Sequence, residues 1–283
     1  MLDIEANIGE NPKFGRRLIV DIIDARAATT PDKEWLSVPK TSNPKDGWRV
    51  LTYSQAANAI NVVAHKITDA SGAPDPPNSF PTVAYIGPND ARYFAFALGA
   101  VKAGYQAMFI SPRNSQEGQL NLFEPTNCHL ICFDTAFSAI VQPWLQERDM
   151  RAIVAAPLED CFPTGNVKPF PYSKTFEEAE WDPLLVLHTS GTTGFPKPVV
   201  ARQGMMAIAD KFHDKDLMEW KGYMFSMAGM AKRSKRLFLP SKLLCLVLSL
   251  LMRESLANRF HHQCPFTTLR PCTSPYFLST TGT

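Results

Sequence analysis

Between residues 82 and 188 the sequence alternates between short apolar runs and longer stretches with helical periodicity. Five apolar runs predict strands: 82–86, 106–110, 128–133, 152–155 and 184–188. Three stretches between them predict helices: 90–103, 116–123 and 136–146. Strands that alternate with helices of about ten residues indicate βαβ units. The sequence therefore predicts an α/β fold, with a mostly parallel sheet and flanking helices.

The residues before this region predict two helices and a linker. Apolar residues at helical spacing in 18–27 predict the first helix. The second helix begins after a capping box, Thr-Tyr-Ser-Gln at residues 52–55, and ends at Gly72. Residues 33–46 predict short strands and loops. Residues 73–81 contain four prolines and predict a linker without helix.

Several charged and sulfur-containing side chains invite a functional interpretation but have simpler explanations. Asp21 and Asp24 are expected to be solvated charges on the first helix. Cys128, Leu130 and Cys132 occupy alternate positions of a predicted strand, so they are expected to share one face. Two cysteines in this arrangement are more typical of core packing than of a redox or metal centre.

Composition restricts the function classes. The chain has 283 residues, of which 45% are hydrophobic and 20% charged, which excludes a disordered or collagen-like protein. The six cysteines lack the spacing of zinc sites, so no metal site is predicted. The first residues are acidic and lack the apolar region of a signal peptide. The longest apolar run, 243–252, is shorter than the ~20 residues that span a bilayer. We therefore expect a cytoplasmic protein without membrane association.

The formal charge is unevenly distributed along the chain. It is −5 for residues 1–210 and +7 for residues 211–283, against +2 for the whole chain. Two interpretations remain open: the basic tail binds a partner, or it marks a boundary beyond which the sequence follows different rules. A nucleic acid is not the expected partner, because no aromatic interleaving or binding fold accompanies the basic cluster Lys232, Arg233, Lys235 and Arg236.

The strand predicted at 184–188 leads into a segment rich in hydroxyl groups and glycine. Residues 188–197 read His-Thr-Ser-Gly-Thr-Thr-Gly-Phe-Pro-Lys. Glycines let backbone N–H groups approach a ligand closely, hydroxyls donate hydrogen bonds and the lysine supplies a positive charge, so the segment suits a polyphosphate. It is not the GxxxxGK[ST] P-loop. A surface turn rich in Ser, Thr and Gly is the alternative that composition leaves open.

The same segment resembles the phosphate-loop signature of adenylate-forming enzymes, which include acyl-CoA synthetases, luciferases and the adenylation domains of non-ribosomal peptide synthetases. Leu51-Thr52-Tyr53 and residues 101–105 (Val-Lys-Ala-Gly-Tyr) resemble two further elements of that family. Three segments are similar to the fungal synthetase-like carboxylate reductases: 85–93, 110–115 and 141–146. The resemblance covers residues 15 to about 210 well and continues weakly to about 240.

This resemblance implies a reaction and a set of site residues. The reaction is the ATP-dependent activation of a carboxylic acid to an acyl-adenylate in secondary metabolism, with Mg²⁺ accompanying ATP. The residues implied to hold the phosphates are Thr189, Ser190, Gly191, Thr192, Thr193, Gly194 and Lys197. Lys197 is implied to be catalytic, because it would neutralise charge as pyrophosphate leaves. His188 either belongs to this site or is a buried strand residue with paired ring nitrogens.

The resemblance also implies that the domain is incomplete. We expect a partial AMP-binding domain in residues 1–240 and a divergent, partly disordered tail in residues 241–283. The family's adenine-binding, Mg²⁺-ligating and catalytic-lysine segments are not recognised, so the chain is expected to be truncated and inactive alone. Phosphopantetheine and NADPH would serve only the family's carrier and reductase domains.

Two expectations follow for the residues beyond the resemblance. A frameshift or splicing change near residue 240 would explain the tail. The run 243–252 is expected to form a helix that packs on an uncovered face of the incomplete domain. The alternative is a non-catalytic interaction or regulatory module, or a pseudogene product, that keeps the α/β scaffold, and the oligomeric state is left open.

Overall fold

The computed structural model describes residues 14–40, 44–189 and 194–210. Its helices are α1 (Ile19–Thr29), α2 (Tyr53–Ser71), α3 (Arg92–Lys102), α4 (Gln116–Leu120), α5 (Ser138–Glu147), α6 (Leu158–Cys161), α7 (Phe176–Ala179) and α8 (Gln203–Asp210). Its strands are β1 (Glu34–Pro39), β2 (Trp48–Thr52), β3 (Thr82–Ile86), β4 (Gln106–Phe109), β5 (Cys128–Phe133), β6 (Arg151–Val154), β7 (Pro183–His188) and β8 (Pro198–Arg202). All five strands and three helices predicted between residues 82 and 188 are present.

The main sheet has six strands in the order β6-β5-β3-β4-β7-β8. The pairs β3–β4, β3–β5, β4–β7 and β5–β6 are parallel, and β7–β8 is antiparallel. The prediction of a mostly parallel α/β sheet is therefore confirmed. A second, two-stranded sheet pairs β1 with β2 in antiparallel orientation, in and just beyond the region that predicted short strands.

Both faces of the central parallel strands of the main sheet are covered, as parallel sheets require. Ile60 of α2 and Leu98 of α3 are buried in the core on one face. On the other face Trp144 of α5 is fully buried, and its ring meets the Phe123 ring edge-on with a centroid distance of 5.2 Å. Every residue of β3 is buried, so this strand forms the centre of the fold.

The predicted boundaries of α2 are confirmed. Thr52 Oγ1 accepts a hydrogen bond from the Gln55 N–H at 3.3 Å, and Gln55 Oε1 accepts one from the Thr52 N–H at 3.0 Å. This capping box satisfies two backbone donors that the first helical turn leaves unpaired. The helix stops before Gly72, whose φ of +79° favours glycine.

The expectation that Cys128, Leu130 and Cys132 share one face of β5 is wrong. Cys128 is buried in the cluster that contains Trp144, whereas Leu130 and Cys132 are buried on the opposite face. The pairing of β5 with β3 is irregular between these positions, which is the signature of a β-bulge that shifts the alternation by one residue. Burial raises the pKa of both thiols to about 12, so they are neutral core side chains at neutral pH.

The expectation that Asp24 is a solvated charge holds only in part, because its side chain is 42% exposed but its carboxylate forms an ion pair. The side chain of Lys102 on α3 is 1% exposed, and its Nζ donates hydrogen bonds to Asp24 Oδ1 at 2.9 Å and Oδ2 at 2.6 Å. The same Nζ donates to Asn61 Oδ1 on α2 at 2.9 Å. A buried ammonium needs a counter-charge, so this contact joins α1, α2 and α3.

Candidate functional site

The carboxyl ends of the parallel strands meet at one edge of the main sheet. The segments that leave this edge are Gly87–Asp90 after β3, 110–115 after β4, Asp134 after β5 and Thr189 after β7. The chain places β4 on one side of β3 and β5 on the other, so the connections diverge at this point. In open α/β sheets, ligands bind outside the carboxyl ends of the strands at such a switch point.

The hydroxyl-rich segment closes a hairpin between β7 and β8. The Thr189 N–H donates to the Lys197 carbonyl at 3.0 Å, and the Lys197 N–H donates to Thr189 Oγ1 at 3.0 Å. These two bonds form the neck of the loop, just beyond the pairing of His188 with Pro198. Thr189 and Lys197 are thus held side by side at the carboxyl edge of the sheet.

The chain leaves this loop through a packed segment. Pro196 is buried against α4, since a Cβ on Gly118 would lie 3.2 Å from Pro196 Cδ. Gly194 has a φ of +147°, which favours glycine. Lys197 is exposed, and no ion pair within the described part of the chain involves it. The backbone of Lys197 is therefore held in place by the neck, and its exposed ammonium is available to an anion.

His188 connects the hairpin to the neighbouring strand. Its Nε2 accepts a hydrogen bond from the Ser111 N–H at 3.2 Å, and its Nδ1 contacts the Thr189 carbonyl at 3.0 Å. Because a backbone N–H can only donate, we assign the proton to Nδ1. Both ring nitrogens are then engaged with the backbone, and His188 holds the neck against the β4 loop. The second of its two expected roles fits this half-buried position better.

Arg92 is buried at the same edge of the sheet, where its guanidinium binds groups from several segments. Its Nε and Nη2 donate to the Asp90 carboxylate, with the Nη2 bond at 2.8 Å, and Nη1 donates to Asp134 Oδ2 at 2.7 Å. Nη1 also donates to the Ala156 carbonyl at 3.0 Å. Burial opposes the charge on Arg92, but Asp90, Tyr85 and Asp134 together outweigh it and raise the pKa of the guanidinium above its ordinary value. The segments that follow β3, β5 and β6 are thereby joined.

Sequence reasoning included Arg92 in a family-like segment but assigned it no role. Its three partners come from separate parts of the chain, with Asp134 and Ala156 lying 42 and 64 residues away. A local sequence pattern carries no signal for such a contact. The burial of a lone arginine at the start of a helix is visible only once the strands are placed.

The structure brings together part of the predicted site. His188, Thr189, Gly194 and Lys197 lie on the β7–β8 hairpin. The central loop residues Ser190, Gly191, Thr192 and Thr193 lie outside the described residues, and so does the predicted tail, 241–283. Within the described residues, no group of three or more His, Cys, Asp or Glu side chains could hold a metal ion.

None of the helices in the described part is long and apolar enough to cross a membrane. The expectation for residues 243–252 concerns a part of the chain that the structure does not describe.

A mostly parallel α/β sheet with loops converging at its carboxyl edge defines the class of open α/β folds, which bind ligands at that edge. The model of the AMP-binding enzyme family matches residues 23–234, and the chain belongs to this family. It is an adenylate-forming domain, present in part.

The chain is also similar in sequence to two curated proteins. Over 234 residues the chain is 61% identical to a carboxylic acid reductase of Neurospora crassa, a match that covers 83% of this chain and 22% of the reductase. Over 216 residues it is 38% identical to an isocyanide synthase–NRPS hybrid of Aspergillus fumigatus, covering 73% of this chain and 14% of the hybrid. The chain therefore spans about a fifth or less of the length of these relatives.

Solved structures agree with the fold. The acetoacetyl-CoA synthetase of Streptomyces lividans matches with a TM-score of 0.55 and 18% identity, over 69% of this chain and 32% of that chain. A long-chain-fatty-acid-CoA ligase of Archaeoglobus fulgidus matches with a TM-score of 0.54 and 16% identity, over 70% of this chain and 39% of that chain. At these identities the matches show a shared fold.

Proposed function

We propose that the β7–β8 hairpin binds the phosphates of ATP, as part of a domain that activates a carboxylic acid as its acyl-adenylate. The observation that carries this proposal is the closed neck of the hairpin, which fixes Thr189 beside Lys197 and leaves the lysine ammonium exposed. The 61% identity with a protein named carboxylic acid reductase supports a carboxylic acid as the second substrate.

The residues at the neck have the chemistry that a phosphate needs. Thr189 Oγ1 accepts from the Lys197 N–H, so its own O–H remains to donate to a phosphate oxygen. Gly194 is exposed and has no side chain to keep a ligand from the backbone. The Lys197 ammonium adds a charge-assisted contact, typically about twice as strong as a neutral hydrogen bond. The described residues thus fit a polyphosphate.

ATP supplies the reaction with an α-phosphorus open to attack by the carboxylate and with pyrophosphate as the leaving group. Lys197 holds the β- and γ-phosphates and neutralises the charge that grows on them as pyrophosphate leaves. His188 acts as a positioning residue, because its two backbone contacts hold the neck in place. Mg²⁺ would accompany the phosphates of ATP, and none of the described side chains is assigned to it.

The test is a calorimetric titration of the purified chain with MgATP, comparing Lys197→Ala with Lys33→Ala. Lys33 is an exposed lysine in the turn before β1, so its substitution controls for the loss of one surface charge. Loss of a hydrogen bond to a charged group costs about 1.5–3 kcal/mol, so we expect Lys197→Ala to weaken ATP binding roughly tenfold to a hundredfold. Lys33→Ala should bind ATP like the unmodified protein. Equal affinity of the two variants for ATP would contradict the proposal.

A further inference from the structure

The edge of the sheet formed by β8 carries a group of exposed apolar side chains, which we name the β8–α8 surface. Its members lie on β8, on α8 and in the turn that precedes β7: Trp181, Val199, Val200, Met205 and Ile208. Trp181 is 70% exposed and Ile208 61% exposed. The turn and α8 are in contact, because the Gln203 N–H donates to the Asp182 carbonyl at 3.0 Å. Apolar groups of this size on a folded protein mark interaction sites.

Both faces of β8 are incompletely covered. Val199 pairs with Leu187 and Val200 with Val186, so their side chains point to opposite faces of the sheet. Both valines are nevertheless about half exposed, at 46% and 45%. β8 is also the last strand of the sheet, and no strand of the described residues pairs with its outer edge. An open edge with apolar side chains on both faces favours docking of another segment.

The part of the chain that the structure describes ends at this surface. α8 ends at Asp210, whose carboxylate is almost fully buried and accepts hydrogen bonds from the Gly15 N–H at 2.7 Å and from Arg17 Nε at 3.0 Å. These hydrogen bonds hold the C-terminal end of α8 in place. The sequence continues for 73 residues, in which the run 243–252 has nine apolar residues out of ten.

The charges of the two parts are complementary. Residues 211–283 carry a formal charge of +7, whereas residues 1–210 carry −5. Beside the β8–α8 surface, α7 and the residue after it contribute three acidic side chains, Glu177, Glu178 and Glu180, of which Glu177 pairs with Arg16 and Glu178 accepts the hydrogen bonds of the Thr175 cap. α7 contacts α8 directly, since the Gly204 N–H donates to the Glu180 carbonyl at 2.8 Å. The basic cluster 232–236 precedes the apolar run by few residues, so one segment matches both features.

We propose that residues 232–252 dock on the β8–α8 surface of the same molecule, with the basic cluster beside α7 and the apolar run on Val199 and Ile208, since Val199 lies on the face of the sheet that α8 covers. The 21 residues from 211 to 231 could extend over as much as about 70 Å, so the connection reaches any part of this surface. Tethering gives such a segment an effective concentration on the order of millimolar, which favours it over a second copy at micromolar protein. The proposal does not depend on nucleotide binding.

The test is hydrogen–deuterium exchange of the full chain, comparing Ile208→Glu with Val154→Glu. Val154 is 52% exposed on β6, at the opposite edge of the sheet, so its substitution introduces the same charge in a comparable setting. Neither side chain is buried, and the core should tolerate both changes. We expect Ile208→Glu to accelerate exchange of the 243–252 amides by roughly tenfold or more, because a carboxylate would have to be buried beneath the apolar run. Val154→Glu should leave those amides unchanged.

Three outcomes would overturn the proposal. In the first, the amides of 243–252 already exchange in the unmodified chain as fast as in an isolated peptide. In the second, Ile208→Glu and Val154→Glu change their exchange equally. In the third, their protection rises with protein concentration, which would assign the surface to a second copy of the chain.

Discussion

Arg92 illustrates how much of the carboxyl edge depends on a single side chain. It is 6% exposed, and its guanidinium bonds to Asp90, Asp134 and the Ala156 carbonyl. Burial opposes the charge on Asp134, but the Ala136 N–H and Arg92 together hold the pKa of this carboxyl below its usual range. A buried ion pair is costly to break from one side, since the remaining charge is left without a partner.

We expect Arg92→Lys to lower the free energy of unfolding by about 1–3 kcal/mol. A lysine keeps the charge but cannot reach the two carboxylates and the carbonyl at once from one ammonium. Urea unfolding measures the change, with Arg113→Lys as the control because Arg113 is exposed in the loop after β4. If both variants are as stable as the unmodified protein, Arg92 does not join the strand ends.

Asp21 predicts a dependence of stability on pH. Partial burial on α1 and the neighbouring Asp24 raise the pKa of this carboxyl to about 6, with Lys102 opposing them. The folded state therefore binds the proton more tightly than the unfolded state, and the contribution of Asp21 to stability falls as pH rises from about 4 through 6.

Asp21→Asn should consequently stabilise the protein at pH 7.5 and have little effect near pH 4. Because Asp21 is exposed to solvent, which screens the interaction, we expect a gain below about 1 kcal/mol. Thermal unfolding across this pH range measures it, with the exposed Asp32→Asn as the control. A gain that is the same at both pH values would contradict the raised pKa.

At the scale of elements, the sequence predicts those features that depend only on residues close together in the chain. The capping box at Thr52 and the glycine that follows α2 were predictable because each satisfies backbone groups within a few residues. The bulge in β5 was not, because the irregularity lies in its pairing with β3, 46 residues earlier in the chain for the pair Thr82–Cys128. The short strand β8 was missed as well. Residues 198–202 form a strand because they pair with β7 across the loop, and the sequence of β8 alone does not indicate this pairing.

Gly99 is a second feature that local sequence patterns do not predict, this time inside a helix. It lies in the middle of α3, where a Cβ would come within 2.6 Å of Val63 Cβ and 2.9 Å of the Ile60 carbonyl on α2. The proximity of these helices therefore requires a glycine at this point, and helical periodicity alone does not reveal it.

Gly99→Ala should destabilise the protein, although alanine is the better helix former. Overpacking costs about 1–3 kcal/mol, and the gain in helix propensity offsets no more than ~1 kcal/mol of it. Gly165→Ala is the control, because a Cβ there has open space. Denaturant unfolding should separate the two variants. A Gly99→Ala protein as stable as its control would show that α2 can move away without cost.

At the scale of the whole molecule, the sequence indicates which residues form the candidate site but not how they are arranged. The hydroxyls, glycines and lysine of residues 188–197 suit a polyphosphate ligand, and it is the family resemblance that favours this interpretation over a surface turn. The closed neck between Thr189 and Lys197 and the burial of Pro196 depend on the pairing of β7 with β8 and on the packing of α4. His188 was left with two roles for the same reason, since the partners of its ring nitrogens belong to another strand's loop and to the neck.

The central claim is that the hairpin recognises phosphates, and a calorimetric titration of the unmodified chain with three ligands tests it most directly. The ligands are ATP, inorganic tripolyphosphate and AMP, each with Mg²⁺. If Lys197 and the neck of the hairpin carry the binding, ATP and tripolyphosphate should bind with affinities within about tenfold of each other, and AMP at least about tenfold more weakly than ATP. AMP binding as tightly as ATP, or no binding of ATP at all, would contradict the claim.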